Sequence, residues 1–133
     1  MHSPHGQSGR ALLRLSFSRE SLPRVRRLVA AAAGRARMGR ARSQDLVLVV
    51  DELASNSVMH GGGSGELRLW STAAGVLCEV RDCGHIADPL VGRRPPRPER
   101  RDGRGLWVVG QLSEDVEICS SPGRTVVRAR VRR

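Results

Sequence analysis

Apolar and polar residues alternate from Ala11 to Phe17. Ala11, Leu13, Leu15 and Phe17 share one face and Arg14 and Ser16 the other, the period of a half-buried strand. Ser18 stands at a helix N-cap position, and the run to Arg37 reads as helix, with Pro23 accommodated in its first turn, Leu28–Ala33 buried and Gly39 as the stop. Ser43 starts a second helix that reaches His60 and is closed by Gly61-Gly62-Gly63. Glu66–Thr72 and Val76–Asp82 are strands around an Ala73–Gly75 turn. Leu106–Leu112 is a short helix. Val116–Cys119 and Thr125–Val131 form a hairpin over Ser121-Pro122-Gly123-Arg124.

Two stretches carry no such period. Residues 1–10 are polar and read as a disordered tail, leaving one domain over 11–133. Cys83 to Arg104 is rich in proline and arginine, and a loop of this length in a compact domain is a functional lid or is unstructured. The order β-α-α-β-β-loop-α-β-β predicts an α+β fold. It is a two-layer sandwich with helices on one face of a mixed or antiparallel sheet.

The second helix is apolar nearly all round (Leu46, Val47, Leu48, Val50, Leu53, Ala54, Val58), so it is expected to be buried. Glu52, Asn56 and His60 lie on it at i, i+4 and i+8, one narrow stripe. A carboxylate and a carboxamide inside a buried helix either face a polar pocket or pay a large desolvation cost. One turn apart, they suit a metal–nucleotide site: an Asn oxygen can ligate Mg²⁺, and a carboxylate can take a proton from a hydroxyl or water nucleophile. The competing reading is a solvated stripe on an ordinary amphipathic helix.

In the strand Val76–Asp82, Val76, Cys78, Val80 and Asp82 share a face opposite Leu77, Glu79 and Arg81. Asp82 thus ends an apolar row and points between sheet and helices, and Gly84 two residues later lets a ligand approach the backbone. An ordinary Asp-Cys-Gly turn would look the same in isolation. Gly103-Arg104-Gly105-Leu106 opens the short helix, where free N–H groups and the helix dipole attract phosphate; the bland alternative is a flexible loop-to-helix joint.

Composition narrows the chemistry. The net charge is +10, carried by 23 arginines and no lysine, so the P-loop lysine and Schiff-base mechanisms are excluded. The charge favours anionic partners, but one Phe, two Trp and no Tyr are few for a protein that stacks bases. Three cysteines without CxxC spacing and four histidines, two in the tail, argue against zinc. No secretory segment or long apolar run is present, so a cytoplasmic protein without membrane contact is expected.

The three weak signals stand in the order of one known superfamily. Glu52-Leu53-Ala54-Ser55-Asn56-Ser57-Val58-Met59-His60-Gly61 resembles the N-box of the GHKL ATPases, the superfamily of gyrase and histidine kinases. Asp82-Cys83-Gly84 resembles the start of their G1 box, and Gly103-Arg104-Gly105-Leu106-Trp107-Val108-Val109 their G2 box. Pro122-Gly123-Arg124-Thr125-Val126 looks like their last hairpin. The resemblance covers about residues 11–131, and length and order look most like the stand-alone anti-sigma-factor serine kinases.

That resemblance implies a Bergerat α/β sandwich binding ATP and Mg²⁺. Asn56 would hold the metal, and Glu52 would be the general base toward a serine hydroxyl of a partner. Asp82 would accept a hydrogen bond from the adenine amino group. His60, Gly84, Gly103, Arg104, Gly105 and Leu106 would complete the nucleotide site, and residues 83–104 would be its lid. A sigma factor, an anti-sigma antagonist protein and a second copy of the chain are the partners implied. Two departures bear on nucleotide affinity: His85 and Ile86 stand where the superfamily has its second G1 glycine, and the lid is unusually rich in proline and arginine. An adaptor that binds partners without phosphotransfer is the alternative function. A nucleic-acid binder using Arg14, Arg68, Arg81, Arg128 and Arg130 on the outer sheet face is the third; a solvated surface is the simpler account of those residues.

Overall fold

A computed structural model describes residues 9–86 and 104–133 of the chain. Five strands, β1 (Arg10–Ser18), β2 (Ser64–Thr72), β3 (Gly75–Asp82), β4 (Glu114–Ser121) and β5 (Arg124–Arg132), form one sheet in the order β1-β2-β3-β5-β4. Every neighbouring pair is antiparallel. Three helices, α1 (Leu22–Arg35), α2 (Arg40–His60) and α3 (Arg104–Leu112), pack on one face of it. The α+β two-layer sandwich expected from the element order is therefore the fold.

The core is the seam between the layers. Leu67, Leu69, Val76, Cys78, Val80 and Val127 face Val29, Leu46, Val49, Val50, Leu53 and Val109 from the helices, all buried. Burial without a compensating charge pushes the Cys78 thiol up to about 12, so it behaves as a small hydrophobe.

Three local details differ from the sequence expectations. β1 begins at Arg10, and a register shift between Ala11 and Leu13 sends Ala11 to the outer face opposite Trp70, while Leu13, Leu15 and Phe17 keep the inner face. The first helix is split: Arg19–Ser21 is a 3-10 turn, with Ser21 Oγ accepting the Ser18 N–H at 2.8 Å, and the α-helix starts at Leu22. Pro23, lacking an N–H, sits where the first turn needs none. The junction between the helices does not use Gly39 as a stop or Ser43 as a cap. Arg37 takes the left-handed conformation (φ 58°) that ends α1, and Gly39 is the N-cap of α2, its carbonyl accepting Ser43 N–H at 2.8 Å.

The outer sheet face is a lattice of ion pairs. Across the strands run Arg14, Arg68, Glu79, Arg128 and Glu117 as successive register partners. Glu66 lies 3.0 Å from Arg68 and 3.6 Å from Arg14; Arg130 lies 2.6 Å from Asp115. The arginines proposed as a basic face are thus paired with acids, Arg68 and Arg81 on their own strands and Arg14, Arg128 and Arg130 with acids of neighbouring strands.

Candidate functional site

The C-terminal end of α2, the end of β3 and the start of α3 meet at one edge of the sandwich. Asp82 ends the inner row of β3, opposite Thr125 of β5. Its two carboxylate oxygens are each held: Oδ2 accepts Ser57 Oγ–H at 2.7 Å, and Oδ1 accepts the Gly84 N–H at 2.7 Å. Ser57 is a buried side chain on α2, so its hydroxyl fixes the direction in which Asp82 points.

The turn after Asp82 is laced to β4 and β5. Thr125 Oγ1 donates to the Gly84 carbonyl at 2.9 Å, so the 2.6 Å contact between Ser120 and Thr125 has Ser120 as donor, and Ser120 in turn accepts the Ile86 N–H at 2.7 Å. This chain of donors closes the turn where the superfamily pattern would place a glycine, and Ile86 packs against the core. Across the gap Cys83 N–H donates to the Gly61 carbonyl at 3.3 Å.

Glycines allow this close approach of the two segments. A Cβ on Gly61 would lie 2.3 Å from Asp82 Cγ, and one on Gly84 would lie 2.7 Å from Gly61 Cα and 2.8 Å from the His60 carbonyl oxygen. Because Gly84 faces backbone, Gly84→Ala must move one chain against the other. It is expected to cost about 1–3 kcal/mol of stability, read as a lowered midpoint in urea denaturation.

The second half of the site lies one turn back on α2. A Cβ on Gly105 would fall 2.7 Å from Glu52 Oε2 and 3.6 Å from Asn56 Oδ1, so the first turn of α3 is seated against the Glu52–Asn56 stripe. Both side chains are half-buried between helix and opening. The N-terminal N–H groups of α3 and its dipole there favour an anion. Leu106 is buried in the core, so only its backbone is available to a ligand. His60 is exposed at the end of α2, and its carbonyl rather than its ring approaches Gly84. Gly103 and most of the lid, 87–103, lie outside the described residues, as does the side chain of Arg104.

The residues read from the sequence, Glu52, Asn56, Asp82, Gly84 and Gly105, are brought to one edge. Ser57, Ser120 and Thr125 were not singled out. Ser57 had a signal, a small polar residue on the buried side of an apolar helix; the other two acquire their roles only from the strand register that puts them beside Asp82.

The sandwich thus brings the anchored Asp82 carboxylate to one end of this edge and a helix N-terminus to the other. A family model, the histidine kinase-like ATPase domain, matches residues 15–131. The chain belongs to that family, and with it to the GHKL ATP-binding proteins. The fold is similar to that of the Acinetobacter baumannii histidine kinase AdeS, with a TM-score of 0.53 and 11% identity over 91% of this chain and 68% of that one. None of the curated proteins matches. Among the described residues, no helix is long and apolar enough to cross a membrane.

Proposed function

We propose that the domain binds ATP with Mg²⁺ and acts as an anti-sigma factor with serine-kinase activity toward an antagonist protein, in the cytoplasm. The observation that carries this reading is the seating of the α3 N-terminus against Glu52 and Asn56, with the anchored Asp82 at the opposite end of the same edge. Asp82 accepts the amino group of adenine, a donor that guanine lacks at that position. Gly61 and Gly84 let the end of α2 and the turn after β3 close on each other and set Asp82 at the edge, and the first turn of α3 would face the phosphates. Asn56 would hold the metal, and Glu52 is placed to take a hydroxyl proton. Bound ATP supplies the phosphoryl group. The sigma factor and the antagonist are proposed from the resemblance in length and motif order to stand-alone anti-sigma kinases. A second copy as partner stands on that resemblance too.

The test is calorimetry with ATP and GTP, with and without Mg²⁺. ATP is expected to bind in preference to GTP and more tightly with Mg²⁺. Asp82→Asn is expected to weaken ATP by about 1–3 kcal/mol, the scale of a lost charge-assisted hydrogen bond, and Ser57→Ala by a smaller amount, since it frees the carboxylate without removing it. Folded wild type that binds no ATP would overturn the reading. ATP binding without transfer to any cognate protein serine would leave the adaptor, which the proline- and arginine-rich lid favours.

A further inference from the structure

The charge of the described body is unevenly distributed. On the outer sheet face the arginines are balanced: Glu66, Glu79, Glu114, Glu117 and Asp115 pair with Arg14, Arg68, Arg81, Arg128, Arg130 and Arg132. The helical side differs. Between Arg19 and Asp51 stand eight arginines and three acids, Glu20, Asp45 and Asp51. Arg26 pairs with Asp51 at 2.7 Å and Arg42 with Asp45 at 3.5 Å. Arg24, Arg27, Arg37 and Arg40 are exposed and have no acidic partner among the described residues.

A groove of about 320 Å³ opens in the middle of this surface, between α1 and α2. Ala30 stands on one wall, and Val47 and Leu48 on the other; the Arg26–Asp51 pair joins the walls. Leu48 is 41% exposed, one of two large apolar side chains left so open among the described residues. A single exposed leucine means little. Arg40 precedes Gln44 and Leu48 by one and two turns on the same stripe of α2, and Arg27 follows Arg26 on α1, so exposed arginines flank a groove that carries an exposed leucine. The ligand this describes is apolar along one side and acidic along the others.

We propose that the α1–α2 groove is a docking surface for an acidic amphipathic helix of a protein partner. The two helices leave a channel that a third helix fills, with leucine-type anchors at i, i+3, i+4 and i+7 entering it and acidic residues meeting Arg27 and Arg40 beside it and Arg37 in the turn between the helices. The other occupants fit less well. A second copy would bring like charges together. Duplex nucleic acid would use the arginines but not the apolar floor. A membrane takes up protruding apolar side chains, whereas these line a concavity. The inference rests on the reading of the domain as a partner-binding regulator but not on phosphotransfer. It also uses residues apart from the nucleotide edge, so its failure and the loss of ATP binding are separately visible.

The probe is a labelled synthetic peptide with leucines at i, i+3, i+4 and i+7 and glutamates elsewhere, titrated with the full chain by fluorescence anisotropy. A scrambled peptide of the same composition and a duplex DNA are run beside it. The amphipathic peptide is expected to bind about tenfold more tightly than its scramble, with amide shifts confined to α1 and the first half of α2. Leu48→Ser, which changes no charge, is expected to bring the amphipathic peptide down to the scramble. Arg27→Glu with Arg40→Glu is expected to weaken it further and to flatten its salt dependence. Arg14→Glu on the outer sheet face is expected to change nothing. ATP binding and the circular dichroism spectrum of each variant report that the domain is intact. Equal binding of both peptides, or insensitivity to Leu48→Ser, overturns the proposal. So does DNA binding tighter than the peptide and indifferent to Leu48.

Discussion

Glu52→Gln is expected to leave ATP affinity within about twofold of wild type while slowing phosphotransfer to a protein serine by roughly 10²–10⁴-fold, the range in which a general base contributes. Gln has the shape of Glu and sits in the same crowded place against Gly105, so the ground-state packing is preserved. What it loses is the capacity to accept the hydroxyl proton as the serine oxygen bonds phosphorus and the bond to the leaving diphosphate breaks. Asn56→Ala is expected to behave differently. It removes the carboxamide next to the same helix start, so Mg²⁺-dependent affinity and turnover fall together. Asp115→Asn, an exposed acid on the edge strand β4, is the charge-matched control and is expected to transfer at the wild-type rate. The measurement is single-turnover transfer of labelled phosphate to a cognate antagonist. A wild-type rate for Glu52→Gln removes Glu52 as the base, and affinity lost in proportion to rate makes it a binding residue instead.

The elements were legible where a single period dominated. Alternation marked β3, and Glu52 and Asn56 one turn apart on α2 announced a polar task. The same helix, apolar nearly all round, promised burial on every side, but it buries one face (Leu46, Val49, Val50, Leu53, Ala54 and Ser57) and leaves Leu48 and Met59 exposed. Local patterning failed where two signals competed for one position. Ser43 looks like an N-cap, but Arg37 turns left-handed and Gly39 caps the helix first; Ser43 then lies inside the first turn and its hydroxyl bonds the Met38 carbonyl at 3.4 Å. Ala11 belongs by period to the inner face of β1, and one irregular residue at Leu12 moves it out. The site divides in the same way. Its members within α2 share a helical face and could be read from spacing, whereas the Ile86–Ser120–Thr125–Gly84 relay joins residues up to 41 positions apart and exists only once β5 is in register with β3 and β4.

The outer face of the sheet shows the largest gap between pattern and structure, and it carries the largest expected effect on stability. By alternation Glu79 faces outward with Arg81 and reads as solvated, yet it is 1% exposed at the centre of the middle strand. Arg81 Nε donates to its Oε1 at 2.6 Å and Arg128 Nε to its Oε2 at 2.9 Å. Glu79→Gln keeps the volume but takes the charge from between two guanidinium groups on neighbouring strands and turns an amide N–H₂ toward one of them. Breaking a fully buried pair costs about 3–5 kcal/mol. The Arg81 and Arg128 side chains are 37% and 21% exposed, and water can partly solvate them once the partner is gone, so about 2–3 kcal/mol is expected here. The pH dependence separates this from a simple packing defect. Burial alone would raise the Glu79 proton affinity, but the hydrogen bonds and charges of Arg128 and Arg81 outweigh it and hold the carboxyl below its ordinary value of 4.5. The unfolded chain therefore binds this proton more readily than the folded one. The contribution of Glu79 is complete above pH 4.5 and is lost as the pH falls below that value through the folded-state one. Urea denaturation from about neutral pH down to about 3 should show wild type well above Glu79→Gln at neutral pH and the two curves converging in acid, because protonated Glu79 is a near-copy of Gln. A gap that stays constant across that range would mean that the loss comes from packing and that the carboxylate contributes little as a charge.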